Sequence, residues 1–163
     1  MRSLKYIKFY ENFDDEDQKI PKNIQKIIDS YLECALWTDG EELEEQDKKY
    51  NQDLYKMDDE DWDESEIKDY INSIDLNVNN FDEDSLIKTY LDIKKFLRIV
   101  GFAVDDIDES DIGHDLWLTR NRHGTGFWDR GYDDDISDIL TNAAKTLGSA
   151  TLYLDTDGKI NIM

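Results

Sequence analysis

The chain has little of what usually reveals a small protein's chemistry. Its 163 residues include one cysteine, one proline and two histidines, and nineteen basic side chains face forty acidic ones. The lone Cys34 cannot close an internal disulfide, and its isolation excludes zinc ribbons and cysteine clusters. No apolar run approaches the roughly 18–20 residues needed to cross a bilayer, and the opening stretch MRSLKYIKFYENF has no apolar signal core. A soluble, cytoplasmic protein is therefore expected. No G-x-S-x-G elbow, Walker loop or dinucleotide fingerprint occurs. What is present, 39% apolar and 12% aromatic residues, suits one domain over 1–163 with a buried core.

Charge dominates the rest. The net charge of −21 repels nucleic acid and anionic membranes and attracts a basic protein groove. One segment escapes this acidity. GHDLWLTRNRHGTGFWDRG, Gly113–Gly131, holds both histidines, Trp117, Trp128, Arg120, Arg122, Arg130 and half of the eight glycines. From Asp111 to Gly131 three acids (Asp111, Asp115, Asp129) balance three arginines, so the whole −21 resides elsewhere.

Apolar spacing at Ile24, Ile27, Ile28, Tyr31, Leu32, Ala35 and Leu36 predicts a helix over about 21–38, with Pro21 in its first turn and Cys34 packed at the edge of its apolar stripe. Residues 39–64 form an acidic middle in which Leu43, Tyr50, Leu54 and Met57 fit either a helix with a thin apolar face or a mobile, solvated segment. Ser65 suits the N-cap of a short helix bearing Ile67, Tyr70, Ile71 and Ile74. A further helix is expected from Asp82 to Gly101, carrying Leu86, Tyr90, Ile93, Leu97 and Val100. HDLWLTR and TGFWDRG read as strands around the turn NRHG. Asp133, Asp134 and Asp135 suit the start of a helix ending at Gly148, and ATLYLD, Asp157–Gly158 and KINIM read as a second hairpin. The expected fold is α+β: N-terminal helices (an acidic part, about 1–105) packed with a C-terminal antiparallel sheet (about 111–163) whose two hairpins flank one helix.

In a hairpin turning at Asn121–Gly124, Trp117 faces Trp128, Leu118 faces Phe127 and Asp115 faces Arg130, pairs that each contribute about 0.2–1 kcal/mol. Packing thus accounts for most of this unusual segment. His114, Asp115, His123 and Asp129 have metal-ligand chemistry, but the hairpin places the histidines roughly 20 Å apart at about 3.3 Å per residue. Neither a metal nor a cofactor is expected. His114 and Asp115, as neighbours on a strand, would point to opposite faces. DESDIGHD and DTDGKIN lack the oxygen-ligand and glycine positions of calcium loops. A stacking platform for nucleic acid at Trp117 and Trp128 is opposed by the net charge.

The Gly113–Gly131 segment resembles one shared by small acidic, functionally unassigned proteins of tailed bacteriophages, with the pattern GHDxWLTRNxHGxGFWDRG. The likeness extends to YLECALWT at Tyr31–Thr38 and to LYLDTDGKINIM, so it spans most of the chain. Members of that family often carry Phe at the position of Leu116 and a smaller residue at that of Arg122. The resemblance implies a phage or prophage origin and expression in a bacterial cytoplasm, and it transfers no catalytic residues.

Origin and charge together suggest a protein that binds and inhibits a host protein, either by imitating DNA, as anti-restriction or anti-CRISPR proteins do, or by a phage–host contact that does not imitate it. Duplex DNA carries about one charge per 1.7 Å of axis, so a charge near −21 spread at that density covers about 36 Å. The candidate contacts are Glu41, Glu42, Glu44 and Glu45, and Asp58, Asp59, Glu60, Asp61, Asp63 and Glu64. The expected partner is a host protein with a basic nucleic-acid-binding groove, with no direct nucleic-acid or membrane contact. The alternative is a small phage enzyme using His114, Arg120 and Asp129.

Overall fold

A computed structural model describes residues 23–50 and 78–163. In order these form α1 (Ile24–Tyr50), a 3₁₀ turn (Val78–Asn80), α2 (Glu83–Val100), a 3₁₀ turn (Gly101–Val104), α3 (Glu109–Arg120), a 3₁₀ turn (Phe127–Asp129), α4 (Asp134–Thr146), β1 (Leu152–Leu154) and β2 (Ile160–Ile162). A helical region thus precedes a small antiparallel sheet of two strands, an α+β arrangement. The helix expected from Ser65 lies outside the described residues. Among the described residues no helix is long and apolar enough to cross a membrane.

Local chemistry explains why α2 and α4 lie where their sequences place them. The Asp82 carboxylate caps α2 by accepting from the Asp84 amide at 2.9 Å, and Glu83 and Asp84 occupy its first turn, at the positive end of the helix dipole. Helix α2 buries Leu86, Tyr90, Ile93, Leu97 and Val100. Asp134 and Asp135 open α4, which buries Leu140, Ala143 and Ala144.

Helix α1 continues twelve residues past the expected end near Thr38, to Tyr50. Gly40 opposes this extension by about 1 kcal/mol, but tertiary contacts beyond Thr38 offset the cost. Leu43 is fully buried. The Trp117 indole donates to Thr38 Oγ1 at 2.8 Å, and Gln46 Oε1 accepts from the Leu154 amide at 3.1 Å.

The first expected hairpin does not exist. HDLWLTR belongs to α3, and TGFWDRG forms a 3₁₀ turn and loop, so the sheet has one hairpin rather than two. The Asp108 carboxylate caps α3 by accepting from the Ser110 amide at 2.8 Å, and Glu109 and Asp111 lie in the first turn. The helix period is concealed because α3 is enclosed on nearly every side. Ile112, Gly113, Leu116, Trp117 and Leu118 are buried, and so are Asp115, Thr119 and Arg120. A helix buried all round shows no amphipathic stripe. The aromatics of the Gly113–Gly131 segment consequently have other partners than the hairpin would supply. Trp117 meets Tyr31 edge-on at 5.2 Å, and Phe127 stacks on Phe96 at 5.7 Å.

Helices α1 and α3 form the most extensive pair, and Gly113 makes their approach possible. A Cβ there would collide with the Ile27 carbonyl oxygen and lie 2.9 Å from the Tyr31 nitrogen, both backbone atoms of α1. Ser30 Oγ donates to the Ser110 carbonyl at 2.5 Å in the same seam.

The closing hairpin pairs Leu152 with Ile162, Tyr153 with Asn161 and Leu154 with Ile160. Its inner residues Leu152, Leu154, Ile160 and Ile162 are buried. Both flanks of this ribbon are engaged. Gln46 takes the Leu154 amide, the Ile162 amide donates to Ser85 Oγ at 2.9 Å, and Ile160 O accepts from the Asp82 amide at 2.8 Å.

Replacing Gly113 with Ala should destabilise the protein by about 3 kcal/mol, the upper part of the usual overpacking range, because only backbone can yield. Chemical denaturation with an unchanged m-value would check this. Near-wild-type stability would mean that α1 and α3 pack less closely than described.

Candidate functional site

The charged residues of the Gly113–Gly131 segment are largely committed to internal contacts. Arg120, at the end of α3, has a side chain only 1% exposed. Its Nη1 donates to the Tyr31 hydroxyl at 2.6 Å and to Asp92 Oδ2 at 2.9 Å. Its Nε and Nη2 donate to the carbonyls of Gly148 (2.8 Å) and Leu147 (3.1 Å). Those carbonyls close α4, where a cation also meets the negative end of the helix dipole. Burial raises the Tyr31 hydroxyl's pKa well above its ordinary value, although the Arg120 charge opposes the shift. The tyrosine therefore meets the guanidinium as a neutral acceptor.

Asp115 is the second buried charge. Arg130 reaches it with two bonds, Nη2 to Oδ1 at 2.6 Å and Nε to Oδ2 at 2.8 Å. The expected Asp115–Arg130 pair therefore forms, between a helix and the loop after it rather than across a hairpin. His114 Nδ1 lies 3.2 Å from Asp115 Oδ1, and the imidazole stacks beside Trp37 at 6.2 Å between centroids. Trp37 itself is 74% exposed. Cys34 is buried nearby; burial first, then the Asp115 and Asp39 charges, push its thiol up to about 12.

Asp129 turns its carboxylate onto its own loop, accepting from Thr125 Oγ1 at 2.6 Å and from the Gly126 amide at 3.1 Å. These bonds hold it below the usual carboxylate range. Gly126 is a second close approach, since a Cβ there would lie 2.5 Å from Thr119 Oγ1.

The three residues of the enzymatic alternative are not brought together. His114 and Arg120 are six residues apart on one helix, about 240° around its axis at about 100° per residue. No described hydrogen bond or ion pair joins His114, Arg120 or Asp129 to one another. The strand-based distance between His114 and His123 does not apply on α3. Among the described residues no group of three or more His, Cys, Asp or Glu could hold a metal.

The acidic candidates divide differently. Glu41, Glu42, Glu44 and Glu45 are all exposed on α1, with Leu43 between them fully buried as the anchor of that turn. Asp58, Asp59, Glu60, Asp61, Asp63 and Glu64 lie outside the described residues. Elsewhere Glu83, Asp84, Asp105, Asp106, Asp111, Asp133, Asp134, Asp135 and Asp138 are also exposed.

Residue patterns alone did not indicate Tyr31, Asp92 and Trp37 as partners of this segment. The available signal was an arginine beside apolar residues in WLTR, which in a helix must find acceptors from several directions.

Arg120→Met should cost about 3–5 kcal/mol, because Asp92 and the carbonyls ending α4 lose their shared donor. Arg120→Lys should recover little of this, since one ammonium cannot reproduce the guanidinium fork. Urea unfolding checks both; full rescue by Lys would show that charge alone suffices.

Cys34 should resist iodoacetamide at pH 8 in the folded protein, where a thiol pKa near 12 leaves about one part in ten thousand as thiolate. Mass spectrometry before and after urea checks this. The raised Cys34 and Tyr31 values act in one direction on stability. Their contribution is complete below the ordinary thiol and phenol range, and it is lost as pH rises from there toward the folded values, because the unfolded chain releases these protons first. Thermal melts from pH 8 to 11 should show a falling midpoint.

Comparison of the chain with models of protein families, with curated proteins and with solved structures finds no match.

Proposed function

We propose that the chain is a binding protein that occupies the basic, nucleic-acid-handling groove of a host protein and inhibits it by presenting a DNA-like line of carboxylates. The observation that supports this reading is the Glu41–Glu45 turn. Four exposed glutamates occupy five residues of a helix held in place by buried Leu43. At about 1.5 Å of rise per residue they carry roughly one charge per 1.9 Å, close to the one per 1.7 Å of duplex DNA. Helix geometry also fixes their spacing, which limits the ordering cost of binding. The resemblance to phage proteins supports a partner in the bacterial host cell.

The neutral segment complements this reading. Arg120, Arg130, Asp115 and Asp129 all have partners within the fold, so these arginines leave the exposed acids largely uncompensated. Among the described residues seventeen exposed acidic side chains face seven exposed basic ones.

Affinity capture from bacterial lysate at low and high salt, followed by competition with duplex DNA, tests the proposal. A nucleic-acid-handling protein should be retained at low salt, released as salt rises, and displaced by DNA. Changing Glu41, Glu42, Glu44 and Glu45 together to Gln should weaken that complex about 30-fold, four screened contacts of about 0.5 kcal/mol each. The melting temperature should not fall. A captured partner indifferent to salt and to these four changes would overturn the reading.

A further inference from the structure

The outer face of α2 is opposite in character to the surface around it. At about 100° per residue Leu91, Lys95, Arg98 and Ile99 fall within an arc of about 100°, so they share a side of the helix. Leu91 is 48% exposed and Ile99 49%. With Lys94 they line a shallow cavity of about 280 Å³. Lys94 is engaged, its ammonium 5.6 Å from the centre of the Tyr90 ring. Lys95 and Arg98 are exposed and make no ion pair or hydrogen bond with any described residue. In a chain carrying −21, two unpaired cations flanking two exposed aliphatic side chains form a small island of opposite sign.

We propose that this face is a docking surface for a short acidic helix of a partner protein, whose aliphatic residues pack on Leu91 and Ile99 while its carboxylates meet Lys95 and Arg98. Charge complementarity selects an acidic occupant, and the ends of the island set its length. Exposed Glu83 and Asp84 lie at one end of α2, and exposed Asp105 and Asp106 follow it at the other. An occupant of two to three turns, roughly 10–15 Å long, fits between these carboxylates. An anionic membrane does not. A surface extending past both ends of the island meets exposed carboxylates there, and repulsion between like charges reaches across a Debye length of about 8 Å at physiological salt. A helix about 10 Å wide meets only the island. This surface is separate from the Glu41–Glu45 turn on α1, so the two interactions can be tested independently.

The probe is a fluorescently labelled, end-capped ten-residue peptide of Leu, Ala and Glu, about three helical turns long, with Leu at i, i+3, i+4 and i+7. Its binding to the full chain is measured by anisotropy at about 0.15 M salt, near the physiological Debye length. Saturable binding is expected. The double variant Lys95→Glu/Arg98→Glu should weaken it at least about tenfold, since attraction becomes repulsion at two exposed sites. Leu91→Asp should do the same, and circular dichroism should show that both variants keep the wild-type fold. The Glu41/Glu42/Glu44/Glu45→Gln variant should bind the peptide as wild type does, whatever becomes of the DNA-like reading. No binding by the wild type, or binding unaffected by Lys95→Glu/Arg98→Glu, would overturn the proposal. So would concentration-dependent self-association abolished by Leu91→Asp, which assigns the face to a second copy, or wild-type binding to phosphatidylglycerol vesicles in place of the peptide.

Discussion

The fold converges on one guanidinium. Arg120 ends α3, yet its donors reach Tyr31 on α1, Asp92 on α2 and the two carbonyls that close α4. A buried arginine without acceptors would be intolerable, so the four partners and the arginine specify one another. An apolar residue of similar volume could fill the space, but it would leave the carbonyls at the end of α4 unpaired. The planar fork therefore acts as a registry device for helices that apolar packing alone would let slide. Gly113 serves the same seam from the other side, by admitting the backbone of α1.

The readable parts of the chain were those where local chemistry and tertiary demand agree. Asp82 and Gly101 bracket α2, and Asp157–Gly158 turns the closing hairpin where the Asp-Gly pair suggests. The Asp115–Arg130 pair was also expected from the sequence, although on a hairpin register that the fold does not adopt. HDLWLTR sets three apolar residues between polar pairs, a run short enough to pass for a strand, and it shows no helical stripe because Asp115, Thr119 and Arg120 are buried with their apolar neighbours. Thr119 Oγ1 accepts from the Phe127 amide at 3.1 Å, and Trp117 donates to Thr38, so these polar atoms have partners remote in sequence. Such partners leave no trace in local periodicity. Thr38 likewise looked like a terminus, because what carries α1 onward is Leu43 and the strand-binding Gln46.

Charge is segregated by depth. Inside, Arg120 and Asp115 are matched by hydrogen-bonded partners. Outside, exposed acids outnumber exposed bases, and a compact body of this sign repels itself. A close helix pair and a cross-linked core are what such a body needs in order to keep its carboxylates fixed in space. Rigid presentation of like charges is also what an imitation of nucleic acid would require, so the stability of the core and the proposed binding role make the same demand. The cationic face of α2 departs from this pattern, since Lys95 and Arg98 make no ion pair among the described residues.

The hairpin at residues 152–162 packs on elements that precede it by long stretches of chain. Ile162 binds Ser85, Ile160 binds Asp82, and Leu154 binds Gln46. During synthesis the helices consequently emerge before the groups that complete them. Phe81 and Ser85 remain open to water, or to chaperones, until residues 160–162 have been made. Covering of these helices thus depends on residues made long after them, and until the hairpin arrives they carry the aggregation hazard of an open apolar side.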